Sequence, residues 1–204
     1  MPASAEAVAR TRERIHEAAL ALFTRKGFHG TGMREIATEA GVSLGNLYNH
    51  HATKEELFAA LLAELEVRYT APDTPIARAL AEFSGVEDLE RLGEASKLMV
   101  QRFADYIRLI YVDVVELGGE HIRRLFGGMR ARYDELLGPR LEELRKAGKL
   151  SGEDPVGAVM TATICYFYLF NIEHLFGVKR LYGGSDKQAI GMISRLLREG
   201  MLPR

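Results

Sequence analysis

An all-α fold follows from three features of the sequence. Apolar residues recur at i, i+3, i+4 and i+7 through most of the chain. No alternating run of strand length interrupts them. Glycines and prolines fall at intervals that suit the ends of helices. The expected architecture is a small helix-turn-helix three-helix bundle at the N-terminus, followed by a larger helical domain.

The first helix carries Ile15, Ala18, Ala19, Leu22 and Phe23 on one face. Gly27 stops it, and Arg25 and Lys26 suit the negative end of its dipole. Thr31 is placed to cap a second helix, roughly 33–40, which buries Met33, Ile36 and Ala37. Gly41 turns the chain sharply, and Ser43 caps a third, very short helix. Thr53-Lys54-Glu55-Glu56 has the Ser/Thr-x-x-Glu pattern of a capping box. It opens a helix at 54–70 with Leu57, Phe58, Leu61, Leu62 and Leu65 along one stripe. The prolines of Ala71-Pro-Asp-Thr-Pro75 mark a boundary. Beyond them the pattern gives helices near 75–83, 87–105, 106–117, 120–147, 154–177 and 186–200. Gly85, Gly118-Gly119, the 148–152 region and Gly183-Gly184 punctuate these.

Composition excludes several classes. The apolar fraction of 47% and the net charge of −1 argue against disorder. The single cysteine, Cys165, excludes an internal disulfide, and its apolar surroundings suggest a buried, inert thiol. The N-terminal stretch lacks the apolar core of a signal peptide. The run at 158–177 is broken by Asn171, Glu173 and His174 and is expected to fall short of a membrane span. A cytoplasmic protein with no membrane partner is expected.

The segment Glu39-Ala-Gly-Val-Ser-Leu-Gly-Asn-Leu-Tyr-Asn-His-His51 raises the question of function. Two short helices about a tight glycine turn make a helix-turn-helix, whose second helix offers its side chains to the DNA major groove. Gly45 lets a phosphate approach the backbone. Ser43, Asn46, Tyr48, Asn49 and His50 are hydrogen-bonders on a helix too short to exist for packing alone. Thr31 and Lys54, at helix N-termini, are expected to add phosphate contacts. Overall charge gives no help. Seven basic residues in 1–60 (Arg10, Arg12, Arg14, Arg25, Lys26, Arg34, Lys54) face seven acidic ones (Glu6, Glu13, Glu17, Glu35, Glu39, Glu55, Glu56). The adjacent pair His50-His51 is a poor metal site. Helix neighbours point about 100° apart, and no third ligand sits at a suitable spacing.

The stretch from Lys26 to Phe58 resembles the DNA-binding domain of the TetR (tetracycline repressor) family. The matching residues are Gly27, Thr31, Ile36-Ala37, Ala40-Gly41-Val42-Ser43, Gly45, Leu47-Tyr48 and Lys54-Glu55. The resemblance implies a dimeric, ligand-responsive transcription regulator, usually a repressor, and no enzyme. It divides the chain into a DNA-binding domain at 1–53 and an effector-binding and dimerisation domain at 54–204, joined by the helix 54–70. It implies Thr31, Arg34, Ser43, Gly45, Asn46, Tyr48, Asn49, His50 and Lys54 as contacts to double-stranded operator DNA. Three positions depart from the family. Leu44 stands where Lys is common, Asn46 where Thr is common, and His51 where Phe is usual; His51 is therefore expected to be semi-buried.

The C-terminal half is apolar on several faces. Ile164, Phe167, Tyr168, Asn171 and Leu175 line one side of the 154–177 helix, and Tyr166, Leu169, Phe170, Glu173 and His174 cover others. A helix of this kind needs cover all round. So does the last helix, with Ile190, Ile193, Leu196 and Leu197. The resemblance implies a homodimer through the last two helices. Its two recognition helices would then match a palindrome with half-sites about 34–36 Å apart.

Phe103, Tyr106, Ile107, Ile110, Tyr111, Leu125, Phe126, Met129, Tyr133, Tyr166, Phe167 and Phe170 could be ordinary core or could line an effector cavity. Arg123, Arg124, Arg130 and Arg132 could be a solvated face or a basic mouth. Some members of the family bind acyl-coenzyme A. An apolar tunnel with an arginine mouth at Arg130 would suit a long-chain fatty acyl-CoA effector. No cofactor or metal is expected. The alternative within the class is a multidrug efflux regulator that binds aromatic cations, for which Asp113, Glu116 and Glu173 are the candidate acids. A helical enzyme is the distant alternative. The sequence has no Gly-x-Ser-x-Gly, His-Glu-x-x-His or phosphate loop, and Glu173-His174 is a meagre acid/base pair.

Overall fold

The computed structural model describes residues 5–150 and 152–201. Every regular element among them is helical. The order is α1 (Ala5–Lys26), α2 (Met33–Glu39), α3 (Leu44–His50), α4 (Lys54–Tyr69), α5 (Pro75–Ala81), a 3-10 turn (Val86–Asp88), α6 (Leu89–Arg102), α7 (Ala104–Glu116), α8 (Glu120–Lys146), α9 (Pro155–Leu175) and α10 (Asp186–Met201). The expected helix at 87–105 is seen as the 3-10 turn followed by α6, which ends at Arg102 because Phe103 leaves the helical conformation; α7 follows from Ala104.

The chain forms two compact units. One comprises 1–69 with 105–123, and the other 70–104 with 124–204. This cut differs from the expected boundary after residue 53. The α4 helix buries Leu57, Phe58, Leu61, Leu62 and Leu65 within the first unit, and α7 belongs there too.

The first unit is built on the apolar face of α1. Ile15, Ala19, Leu22 and Phe23 are fully buried, joined by Ile36 of α2, Leu47 of α3 and Leu57 of α4. Phe23, Phe28 and Phe58 pack as three rings with centroids 5.2–5.7 Å apart. Met33 is only half-buried, against expectation. Gly27 and Gly41 both adopt positive φ. Each also has a neighbour where a Cβ would stand, the Glu116 carboxylate at Gly27 and the Arg14 guanidinium at Gly41. Glu116, at the end of α7, accepts the backbone N–H of His29 at 2.7 Å. A second buried group joins Tyr106 of α7 to His121 of α8 (Oη to Nε2, 2.8 Å), with Glu66 of α4 3.6 Å from the other ring nitrogen.

The second unit is layered on α6, which packs against α5, α9 and α10. Gly93 faces its neighbours closely. A Cβ there would lie 2.8 Å from Ile190 and 3.2 Å from Tyr166. Tyr166 is fully buried, and its hydroxyl pairs with Ser194 of α10 at 2.7 Å. Arg140 of α8 donates to the carbonyls of Ala81 and Phe83, both at 2.8 Å, and so satisfies the end of α5.

Two sequence expectations fail in α9. Cys165 is exposed, because it lies one residue off the buried stripe of Val159, Ala162, Tyr166, Leu169 and Phe170. The helix also proves long and apolar enough to cross a membrane, with 21 residues and a mean hydropathy of 1.4 over its best window. Half of that window is buried within the protein, and the packing of α9 on α6 and α10 accounts for its apolar character.

The contact at Gly93 yields a stability prediction. Gly93→Leu forces a branched side chain into Ile190 and Tyr166 and should cost about 1–3 kcal/mol. Urea unfolding of the purified variant measures it.

Candidate nucleic-acid interface

A seven-residue helix has too few internal hydrogen bonds to persist alone. The α3 helix is held from outside at several points. Ser43 caps its N-terminus, accepting the N–H of Asn46 at 3.1 Å. Leu47, its one buried residue, is wholly enclosed. Arg14 of α1 reaches the turn before it and donates to the carbonyls of Ala40 and Gly41, the latter at 2.8 Å. His51 caps its C-terminus, its N–H bonding to the Leu47 carbonyl at 3.0 Å.

With Leu47 turned inward, Gly45, Asn46, Tyr48 and Asn49 are exposed together, and His50 is half-exposed. Tyr48 is 47% exposed, an unusual position for a large aromatic ring. A Cβ on Gly45 would meet no atom of the chain within 4 Å, so nothing inside the fold requires glycine there. Arg34, on α2, is exposed as well.

Two expected site residues are turned to other work. Thr31 is buried, and its hydroxyl donates to the Gly27 carbonyl at 2.8 Å. It does not cap α2, whose N-cap is Gly32. Lys54 donates to the carbonyls of Phe28 and Thr31, at 2.8 and 2.9 Å, and lies 4.3 Å from the centre of the Phe28 ring. Its ammonium therefore closes the α1–α2 turn onto α4. The capping box forms with an offset. Thr53 accepts the N–H of Glu56 at 3.0 Å, while the Glu56 carboxylate accepts from Ala52 rather than Thr53.

The histidine pair that matters is not the adjacent one. His51 is buried, beyond the semi-burial expected, and its Nε2 lies 3.1 Å from Nε2 of His16 on α1. Nδ1 of His16 lies 2.7 Å from the Glu64 carboxylate on α4. Burial, and then the neighbouring His16, hold the His51 imidazole below the ordinary histidine value. The sequence did carry a signal for His16. It sits at i−3 and i−7 from Ala19 and Phe23, on the buried stripe of α1. Among the described residues no cluster has a metal-binding arrangement.

The expected effector residues fall in both units. In the first, Tyr106 and Ile107 are buried, Ile110 is half-buried and Tyr111 is partly exposed. In the second, Phe103, Tyr133, Tyr166 and Phe170 are buried core. Leu125, Met129 and Phe167 are half-buried, and Phe126 is exposed. Burial raises the phenols of Tyr133 and Tyr166 above the ordinary tyrosine value. The arginine mouth is not supported. Arg130 pairs with Asp134 at 2.9 Å and Asp154 at 2.6 Å, Arg123 donates to the Gly118 carbonyl, and Arg132 to the Thr70 carbonyl. The acids of the efflux alternative also have backbone partners. Asp113 accepts from Ile122, Glu116 from His29, and Glu173 from Leu181.

The turn and the exposed face of α3 define a helix-turn-helix protein. Residues 15–61 match the family model described as bacterial regulatory proteins, tetR family. The HTH-type transcriptional regulator RutR of Escherichia coli K12 is 28% identical over 203 residues, covering 97% of this chain and 93% of RutR. Among solved structures, the flavonoid-responsive regulator FrrA is 25% identical with a TM-score of 0.64, covering 96% of this chain and 99% of FrrA. AibR, solved in complex with isovaleryl coenzyme A and operator DNA, is 21% identical with a TM-score of 0.63, covering 92% and 98%. Residues 15–61 therefore form a TetR-family N-terminal domain. The chain's curated relatives are HTH-type transcriptional regulators rather than enzymes.

The geometry of Lys54 gives a prediction. Lys54→Ala should lower stability by about 1–3 kcal/mol, since two part-buried carbonyls lose a charged donor. The salt dependence of DNA binding should stay close to wild type, because the ammonium already has its partners. Thermal unfolding and a salt titration of DNA affinity separate the two effects.

Proposed function

We propose that the protein acts in the cytoplasm as a dimeric repressor that reads a palindromic operator with α3 and leaves it when a small apolar effector binds. The observation that carries this reading is the exposed face of α3. Asn46 can pair with adenine, while Tyr48, Asn49, His50, Ser43 and Arg34 are available for base or phosphate contacts. Gly45 fits the same purpose. Its missing side chain makes room for nothing inside the chain, which supports close approach by a phosphate from outside.

Dimerisation is supported by the surface of the second unit. Tyr168 of α9 is 53% exposed, Leu196 of α10 is 65% exposed, and Met192 of α10 is exposed as well. Large apolar groups left open on the last two helices suit a self-complementary interface.

The effector reading stays coarse. Long-chain acyl-CoA is the finer form of this proposal; the fold shared with AibR, a protein solved with the short-chain isovaleryl coenzyme A, supports the coenzyme A part of it and not the chain length. The engaged arginines weigh against a phosphate grip by Arg130. Release by ligand requires that the ligand prefer the conformation unable to bind DNA.

Selection from a random duplex pool tests the reading as a whole. An enriched palindrome supports it, and enrichment of no sequence overturns it. Gly45→Ala should leave stability unchanged or raise it by up to about 1 kcal/mol, through helix propensity. It should weaken binding to the enriched duplex by ~10-fold or more. Leu196→Arg should shift native mass spectra from dimer to monomer and weaken DNA binding by a similar factor, because a single subunit holds one half-site.

A further inference from the structure

The chain Glu64–His16–His51 has no counterpart in the expected DNA-reading residues, yet it ties α3 to α1 and α4. Its proton count is constrained. The contact between the two Nε2 atoms, 3.1 Å apart, needs one N–H and one lone pair. The contact of His16 Nδ1 with the Glu64 carboxylate needs an N–H on the imidazole. Two protons satisfy both contacts and leave both rings neutral. A third proton has two places to go. It can put an N–H on both Nε2 atoms, which breaks their hydrogen bond. Or it can reside on Nδ1 of His51, which is buried and has no hydrogen-bond partner. Either costs a buried, unsatisfied donor.

We propose that Glu64–His16–His51 is an acid-sensitive latch that positions α3, so that proton uptake releases the recognition helix and weakens DNA binding. The proposal rests on the reading of α3 as the DNA-contacting helix. His51 and His16 act here as positioning residues, touching no DNA themselves. The free protein can relieve a third proton by letting His51 and the end of α3 leave the core. A DNA-bound α3, held against the groove, cannot. Acidification therefore favours the free state.

The charges around His51 bear on the sign. Burial and His16 disfavour its charged form, and His50 on α3 and Arg12 on α1 act the same way. Glu56 on α4 opposes them. The net direction is downward from the ordinary histidine value. Between the depressed folded value and about 6.5, the unfolded chain binds more protons than the folded one. Stability from this site is complete above about pH 6.5 and is lost as pH falls toward the folded value.

His51→Phe is the informative variant. It keeps a ring in the core and removes the titration. Affinity is measured by fluorescence anisotropy on a duplex of about 30 base pairs enriched by the wild type at about pH 8. Half-exposed His50 is present in both proteins, so the comparison cancels any contribution it makes. Below about pH 6.5 the wild type should lose up to ~10-fold in affinity per pH unit relative to His51→Phe, the limit for one linked proton. In the free wild type, the NMR signal of the His51 ring should titrate below the ordinary histidine range, over the same interval. Parallel pH profiles for the two proteins overturn the latch. If no duplex is enriched, the DNA reading fails by itself, and thermal midpoints then decide the latch. A larger loss on acidification in wild type than in His51→Phe supports it, and equal losses overturn it.

Discussion

A helix of seven residues cannot hold its own shape, and the rest of the first unit is organised around that constraint. Leu47 supplies the only fully buried side chain of α3, so one apolar contact fixes its rotation about its axis. The remaining anchors are polar. Arg14 neutralises the carbonyls of the turn, Ser43 closes the N-terminus, and His51 closes the C-terminus while reaching into the core. Each sits at a different end or side of α3. Together they free its outer face of any packing duty. That face can then carry glycine, asparagine and tyrosine, residues a self-supporting helix would not favour.

The same logic explains which sequence expectations held. The helix boundaries near the turn were legible because local chemistry sets them. Ser43 caps, Gly41 turns at positive φ, and Thr53 opens α4. Long-range partners were not legible. Arg14 is 26 and 27 residues from its acceptors, and His16 is 35 from His51. No local pattern announces such pairs, although a histidine on an apolar stripe is a hint. Thr31 and Lys54 read as surface groups because they occupy helix starts. The fold instead uses them to tie the α1–α2 turn to its neighbours.

The larger unit was read less well, and for a physical reason. Helical periodicity identifies a buried stripe but does not distinguish a packed core from a cavity wall. Tyr166 illustrates the problem. It looked like a pocket residue and proves to be fully buried, paired with Ser194 and pressed against Gly93. The arginines near α8 looked like a phosphate site because sequence alone does not reveal their partners; Arg130 lies between two aspartates. Cys165 fell on the open side because the all-apolar character of α9 hides its phase. What survives is the exposed apolar surface of α9 and α10, consistent with the dimers that TetR-family regulators form.

The central claim is that the exposed face of α3 is where DNA is read. Amide hydrogen exchange, followed by mass spectrometry with and without an enriched duplex, tests it most directly. The account predicts that DNA protects the peptide spanning residues 43–50 more strongly than the other exposed helix faces. Strong protection elsewhere, with 43–50 exchanging as in the free protein, would contradict it.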